Sequence, residues 1–333
     1  MIDRRPAAIA RCLGTADVIA GVTFARDHNL PLCIKGGGHN IARLAVCDGG
    51  LMLDMSLMRG MWVDRAARTA RVQAGCVLGD VGSETQLHGL ATVLGFVSNT
   101  GVAGLTLGGG FGYLTRRFGW TSDNVRAMDV VTAEGRVVRA SESENADLFW
   151  GLRGGGGNFG VVTGFDFALH PVGPEIVGGA IAWRLEEADD VFALYTAVME
   201  TAPPELTLVA ALRLAPPAPW LRQDVHRRPI VALFVCHTGP TDKAEADIAP
   251  LKALGSPVGD TVQRRSHVSR QSLLDATQPK GRRYLSSLTP RLRSFHSAAP
   301  STGCRRITPP WGTGTRPMSS TSRHRGRRPK TTT

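Results

Sequence analysis

The chain has 333 residues, enough for two compact units of ordinary size. Its 39 glycines and 6% aromatics argue against a helical bundle and suit an α+β protein that brings bare backbone up to a ligand. The net charge of +11 would fit nucleic acid, but every acidic residue lies at or before Asp275 and ten cations lie between Arg291 and Lys330, so the charge belongs to the tail and not to the fold.

Apolar residues at helical spacing (Val18, Ile19, Val22, Phe24, Ala25) predict a helix over 16–26. A short buried strand, LPLCIK, follows and runs into GGGHN. LMLDMS reads as the next strand. WVD and ARVQAG, on either side of the polar turn in RAART, predict a hairpin, and a helix is expected near 78–88. Residues 125–133 and 136–140 flank Glu134-Gly135 as a second hairpin. A short helix over 146–153, a GGGGNFG loop and the alternating strand VVTGFDFALHP close a first unit near Pro171. The second unit, 172–284, carries the strand GGAIAWRL, a helix over 187–199, the strands LTLVAALRLA and PIVALFVCHTG, and a helix over 241–254. That is half of an antiparallel sheet covered on one face, with an exposed edge. Residues 285–333 are Ser, Thr, Pro and Arg without apolar period, a composition that buries too little surface to offset ordering entropy, so a disordered basic tail is expected.

No run of about 18 apolar residues occurs, and the N-terminus has no apolar core followed by a small-residue cleavage site. A soluble, cytoplasmic protein without a membrane partner is the expectation. Cys12, Cys33, Cys47, Cys76, Cys236 and Cys304 show no CxxC pair and no metal spacing, so reduced thiols are expected and neither a disulfide framework nor a metal site.

Three glycine-rich stretches carry the chemistry: IKGGGHN, SNTGVAGLTLGGGFG and RGGGGNFG. Glycine lets successive backbone N–H groups point into one concavity, which is how a pyrophosphate is held. Any one stretch is equally well a tight turn; three within about 130 residues favour a large anionic cofactor. No glycine run is followed by Lys and then Ser or Thr, which excludes a Walker loop. RGGGGNFG precedes a strand where the dinucleotide fingerprint would open a helix, which argues against a nicotinamide Rossmann site. Flanking glycines give His39 no packing partner in its own loop, so its ring faces either solvent or what the loop cradles. His28, His88 and His170 read as ordinary surface or core histidines.

From Ile2 to Tyr284 the sequence resembles the FAD-linked oxidases with a vanillyl-alcohol-oxidase-type (PCMH-type) flavin domain, within them the berberine-bridge-enzyme-like group. The carriers are IKGGGHNIARLAVCDGGLMLDMS, GFVSNTGVAGLTLGGGFGYLTRRFGWTSDNV, DLFWGLRGGGGNFGVVTGFDFALHPV and QPKGRRY, in that order. The resemblance implies a PCMH-type FAD-binding domain of two α/β subdomains over 1–171, then a partial antiparallel-sheet substrate domain over 172–284.

It also implies that Lys35, Gly36, Gly37, Gly38, His39 and Asn40 wrap the FAD pyrophosphate, with His39 bonded to the 8α carbon of the isoalloxazine. Ser98, Thr100, Gly101, Val102 and Gly104 would line the flavin. Asn124, Asn158, Gly160, Val161 and Val162 would approach it, with Asp54 and Ser56 close by. Some members add a cysteinyl tether. That position is Val97 here, so a single histidyl tether is expected, and a bond through imidazole should raise the flavin potential.

Phe111 stands where plant members often carry an aromatic hydroxyl and is expected to line the substrate site. The implied function is hydride transfer from an alcohol, amine or sugar to FAD, with O2 as reoxidant; a catalytically impaired flavin-binding remnant is the alternative. Family members usually have further residues at both ends, so a chain abbreviated at both ends, with a frame-shifted tail, is the expectation. A native basic tail for anionic partners, nucleic acid included, is its rival.

Overall fold

A computed structural model describes residues 2–275, which fall within one compact unit. The motif QPKGRRY and the tail expected to be disordered lie outside the described residues. In chain order the elements are β1 (Ala8–Arg11), α1 (Thr15–Asp27), β2 (Leu32–Lys35), β3 (Leu51–Asp54), β4 (Met61–Asp64), β5 (Thr69–Gln73), α2 (Leu78–Gln86) and β6 (Leu90–Ala91). Then come α3 (Val102–Leu107), α4 (Thr115–Phe118), β7 (Val125–Val131), β8 (Val137–Ser141), α5 (Ala146–Leu152), β9 (Val161–Ala168) and β10 (His170–Pro171). The remainder is β11 (Glu175–Arg184), α6 (Ala188–Thr201), β12 (Leu206–Leu214), β13 (Pro229–His237), α7 (Thr241–Ala253), β14 (Gly259–Asp260), β15 (Gln263–Ser266) and α8 (His267–Gln271).

The first part holds two sheets. A three-stranded parallel sheet has the order β1-β3-β2, with Leu51 to Asp54 of β3 hydrogen-bonded on both sides. The expectation of a buried strand at LPLCIK is corrected by this order: β3 is the middle strand and is buried at Leu51, Met52 and Leu53, whereas β2 is an edge strand that buries only Cys33. Helix α1 lies so close on β3 that a Cβ at Gly21 would sit 2.5 Å from Leu53 Cδ2.

The five-stranded antiparallel sheet runs β4-β5-β9-β7-β8, and both expected hairpins, β4–β5 and β7–β8, are present. Its β9, VVTGFDFA, is paired on both sides and alternates as expected at its end: Phe165 and Phe167 enter the core, while Asp166 between them faces the other way and joins Asp129 in ion pairs with Arg71 and Arg139. Phe165 and Phe167, both fully buried, are each worth roughly 1.5–3 kcal/mol of burial.

The second sheet is antiparallel, β12-β13-β11-β14, with β15 pairing the start of β11 beside β14. Side chains alternate across it. Trp183, Leu206, Leu208, Val231, Leu233 and Val235 pack under α6 and α7, while Ala180, Ala182, Ala232 and Phe234 face the 215–225 connection. Both faces are therefore covered, one by helices and one by a loop, where the sequence suggested one. Strand β12 is the outermost described strand at its edge, with Leu212 and Leu214 exposed. Arg116, on α4, fastens this sheet to the first part by donating to the carbonyls of Ala202, Pro203 and Leu206.

Candidate functional site

The three glycine stretches converge through one short helix. Gly37 of the first loop and Gly101 at the N-cap of α3 touch backbone to backbone: a Cβ on Gly37 would lie 2.2 Å from Gly101 N, and one on Gly101 would lie 2.4 Å from Gly37 N. At the other end of α3 the Leu107 carbonyl accepts from Gly154 N (3.1 Å) and Gly156 N (2.9 Å), both in the third stretch. Helix α3 is absent from the sequence expectations because its six residues sit between glycines and include Gly104, which masks a helical period.

The first loop is built to present donors. Among the described residues the backbone N–H groups of Gly36 to Asn40 find no acceptor, and Gly37 to Asn40 are exposed. Asn40 shapes the turn, its Oδ1 accepting from Leu44 N at 3.0 Å. A row of free N–H groups on a glycine loop is an anion cradle. Beneath it, Lys35 Nζ lies 3.0 Å from Asp54 Oδ2, and Ser56 N donates to Asp54 Oδ1 at 3.1 Å. Burial opposes the charge of Asp54, but hydrogen bonds from Ser56 and Lys35 outweigh it and hold the carboxyl below its ordinary range. These three residues fasten the ends of β2 and β3 under the loop and spend their polar groups on each other.

The His39 ring is exposed, and its Nε2 lies 3.1 Å from the Asn99 carbonyl oxygen. A carbonyl can only accept, so Nε2 carries the proton and, in the neutral ring, Nδ1 keeps its lone pair. Asn99 is the residue that the sequence reading passed over within SNTG. Its carbonyl orients His39, and its Oδ1 is buried without a partner among the described residues. The available signal was Asn-Thr-Gly, a turn composition that presents backbone groups.

Ser98 is clamped from 177 residues away: its N donates to Asp275 Oδ1 at 2.9 Å and its Oγ to Asp275 Oδ2. Thr100 N bonds Val97 O at 3.2 Å, and Leu78 N bonds Thr100 O at 2.9 Å. Val102 is fully buried as the first residue of α3. A cleft of about 710 Å³ opens beside Ser98 and Asn99, between α2 and α8.

The remaining expected residues sit less directly. Asn124 is buried with its amide committed, Nδ2 to Phe118 O (3.0 Å) and Trp120 O (2.7 Å), Oδ1 to His170 Nε2 (2.6 Å). Its side chain organises the turn before β7. Asn158 Nδ2 donates to Gly155 O at 2.7 Å, inside the third loop. Gly160 (φ +139°) passes so near β7 that a Cβ would meet Val131 O at 2.6 Å, and Val161 and Val162 enter β9 buried. Phe111 is 41% exposed and meets Phe96 and Trp120 edge to face at 5.5 and 5.9 Å.

Residues 6–141 match the family described as FAD binding domain. The chain is 37% identical over 264 residues to (R)-6-hydroxynicotine oxidase of Paenarthrobacter nicotinovorans, covering 79% of this chain and 56% of that protein. Over this span the chain is similar to an FAD-linked oxidase. It superposes on the crystal structure of 6-hydroxy-D-nicotine oxidase from Arthrobacter nicotinovorans with a TM-score of 0.76 and 34% identity, covering 84% of this chain and 60% of that one. A chitooligosaccharide oxidase gives 0.69 at 26% identity, covering 84% and 57%. The FAD-linked fold thus carries over, while the chain spans little more than half the length of these relatives. The residues present fit the cofactor: a donor-lined loop for its phosphates, a backbone contact between two loops that only glycine permits, and an exposed histidine with a fixed tautomer.

Proposed function

We propose that this FAD-linked oxidoreductase holds FAD on the loop Lys35 to Asn40 and the segment Ser98 to Gly104, with Asp54, Ser56, Asn124, Asn158, Gly160, Val161 and Val162 supporting that cradle, and bonds it covalently through His39. The observation that carries this reading is the hydrogen bond from the His39 ring to Asn99 O, because it leaves Nδ1 as the nucleophilic nitrogen and holds the ring in place. The bound flavin supplies the hydride acceptor for an alcohol, amine or sugar, with O2 as reoxidant. Relatives named for amine and oligosaccharide oxidation support that range of substrates. The protein's own contribution is to neutralise the phosphates with backbone N–H groups and to withdraw electron density through the imidazole. The cytoplasm is its proposed location.

A flavin-binding remnant without turnover is the second reading. Phe111 and Trp120 remain 41% and 45% exposed, and neither side chain can take a proton from a substrate. Tyr113, two residues on, has its hydroxyl buried and its pKa pushed up by that burial to about 12, so it is no base at neutral pH. Acid precipitation of the expressed protein should leave a yellow pellet whose mass exceeds the polypeptide by one FAD. His39→Ala should lose that acid-stable colour, and colour retained in the mutant would refute the tether. Oxygen consumption with a panel of amines and oligosaccharides separates enzyme from remnant.

A further inference from the structure

Cys33 and Cys47 bracket the first glycine loop, and their sulfurs lie 2.9 Å apart. Both also lean on one carbonyl, each Sγ being 3.7 Å from Leu51 O. The surrounding backbone holds them there. Arg4 Nη1 bonds Arg43 O (3.1 Å) and Val46 O (3.2 Å), and Asp48 and Gly49 are tied to Arg5. Gly50 leaves the space that the Cys47 sulfur occupies, since a Cβ there would lie 2.8 Å from it. Closing the remaining gap to a bonded distance of about 2.05 Å needs a shift of under about 1 Å.

We infer that Cys33 and Cys47 are a peroxide-sensitive dithiol whose oxidation to a disulfide staples the two ends of the cofactor loop. The bond itself is independent of the flavin reading; its effect on cofactor retention rests on that reading. Cys33 is buried, and burial together with the neighbouring Cys47 pushes its pKa up to about 12, so it stays protonated. Cys47 is the more exposed sulfur and has the Arg4 guanidinium bound to the carbonyl before it. It is therefore the sulfur that reacts first.

The Cys47 thiolate attacks one oxygen of hydrogen peroxide. The O–O bond breaks, hydroxide departs and is protonated to water, and Cys47 becomes a sulfenic acid. The Cys33 sulfur then attacks the Cys47 sulfur. The S–O bond breaks, the leaving hydroxide takes the Cys33 proton, and a second water is released. Two thiols lose two electrons and two protons, and one peroxide becomes two waters. The staple encloses Gly36, Gly37, Gly38 and His39, so it restricts the loop that presents the N–H groups.

The test uses the full-length chain, reduced, freed of reductant and treated with hydrogen peroxide. Iodoacetamide alkylation under denaturing conditions and tryptic mass mapping then locate every thiol. Trypsin cuts after Lys35 and Arg43, so the disulfide appears as peptides 27–35 and 44–59 joined, two hydrogens lighter than their sum, and lost on reduction. Cys12, Cys76 and Cys236 should remain alkylated. Cys33→Ser should leave a Cys47 sulfenic acid trappable by dimedone, and Cys47→Ser should leave Cys33 unmodified. In the native state the oxidised form should be cut several-fold more slowly at Lys35 and Arg43 than the reduced form. Sulfinic acid at Cys47 with Cys33 still alkylated, or cross-links scattered among other cysteines, would overturn the proposal whether or not the protein is yellow. A joined pair of peptides with flavin release unchanged by oxidation in the His39→Ala chain, where the flavin is held without a covalent bond, would leave the dithiol standing and refute only its grip on the cofactor.

Discussion

At the scale of single residues, backbone contact decides what the loop can do. Gly37 and Gly101 approach within a distance that no side chain tolerates, and the atoms a Cβ would meet are backbone, which cannot swing aside. In the His39→Ala background, where FAD is held without a covalent bond, Gly37→Ala and Gly101→Ala should each weaken FAD binding on the order of 10–100-fold, equivalent to about 1.4–3 kcal/mol, while far-ultraviolet circular dichroism stays near that of the parent. Flavin titration followed by absorbance checks this, and unchanged affinity would mean that the two loops do not share the ligand. Asp54 gives a pH signature. Because its folded pKa lies below the ordinary carboxylate value, its stabilisation is present above that value and disappears as pH falls through the lowered one. The stability gap between the parent and Asp54→Asn should be widest near neutrality and close below about pH 4 in chemical denaturation.

At the scale of elements, β9 and the loop before it join site and core. The strand is central, its phenylalanines are fully buried, and its first residues follow the third glycine loop directly. Phe165→Ala should cost about 3–5 kcal/mol in equilibrium unfolding, whereas Trp62→Ala, at a 74% exposed residue of edge strand β4, should stay within about 0.5 kcal/mol. Equal costs would contradict the sheet order. Helix α3 shows how a short element escapes sequence reading. Glycines at both ends and one inside hide it, yet it is what brings the first and third loops together.

At the scale of the whole molecule, the C-terminal described residues close back on the flavin-binding part. Asp275 holds Ser98, Gln271 donates to Gly95 O, and Arg270 donates through Nε to Val235 O (3.1 Å) while lying 3.8 Å above the Tyr113 ring. His267, at the start of the same helix α8, is buried, and that burial, reinforced by the Arg270 charge, lowers its pKa to about 4. The unfolded state therefore takes up a proton that the folded state refuses between about pH 6.5 and 4, so stability is full above the unfolded value and falls as pH drops through that window. The loss should be on the order of 3 kcal/mol and should be smaller in His267→Phe, measured by urea denaturation across the window. A parent curve without this slope would place His267 in water.

The sequence alone determined the glycine spacing, the position of His39 between glycines and most of the strands and helices. These are local properties: backbone freedom and apolar period are written in neighbouring residues. The order of strands, which left β2 at an edge and β3 in the middle, was not local. Nor were the contact of Gly37 with Gly101, the orientation of His39 by Asn99, the clamp of Asp275 on Ser98, or the meeting of Cys33 with Cys47 across a loop with no CxxC spacing. Each depends on where chain segments 14 to 177 residues apart are brought by packing, and only the tertiary structure sets that.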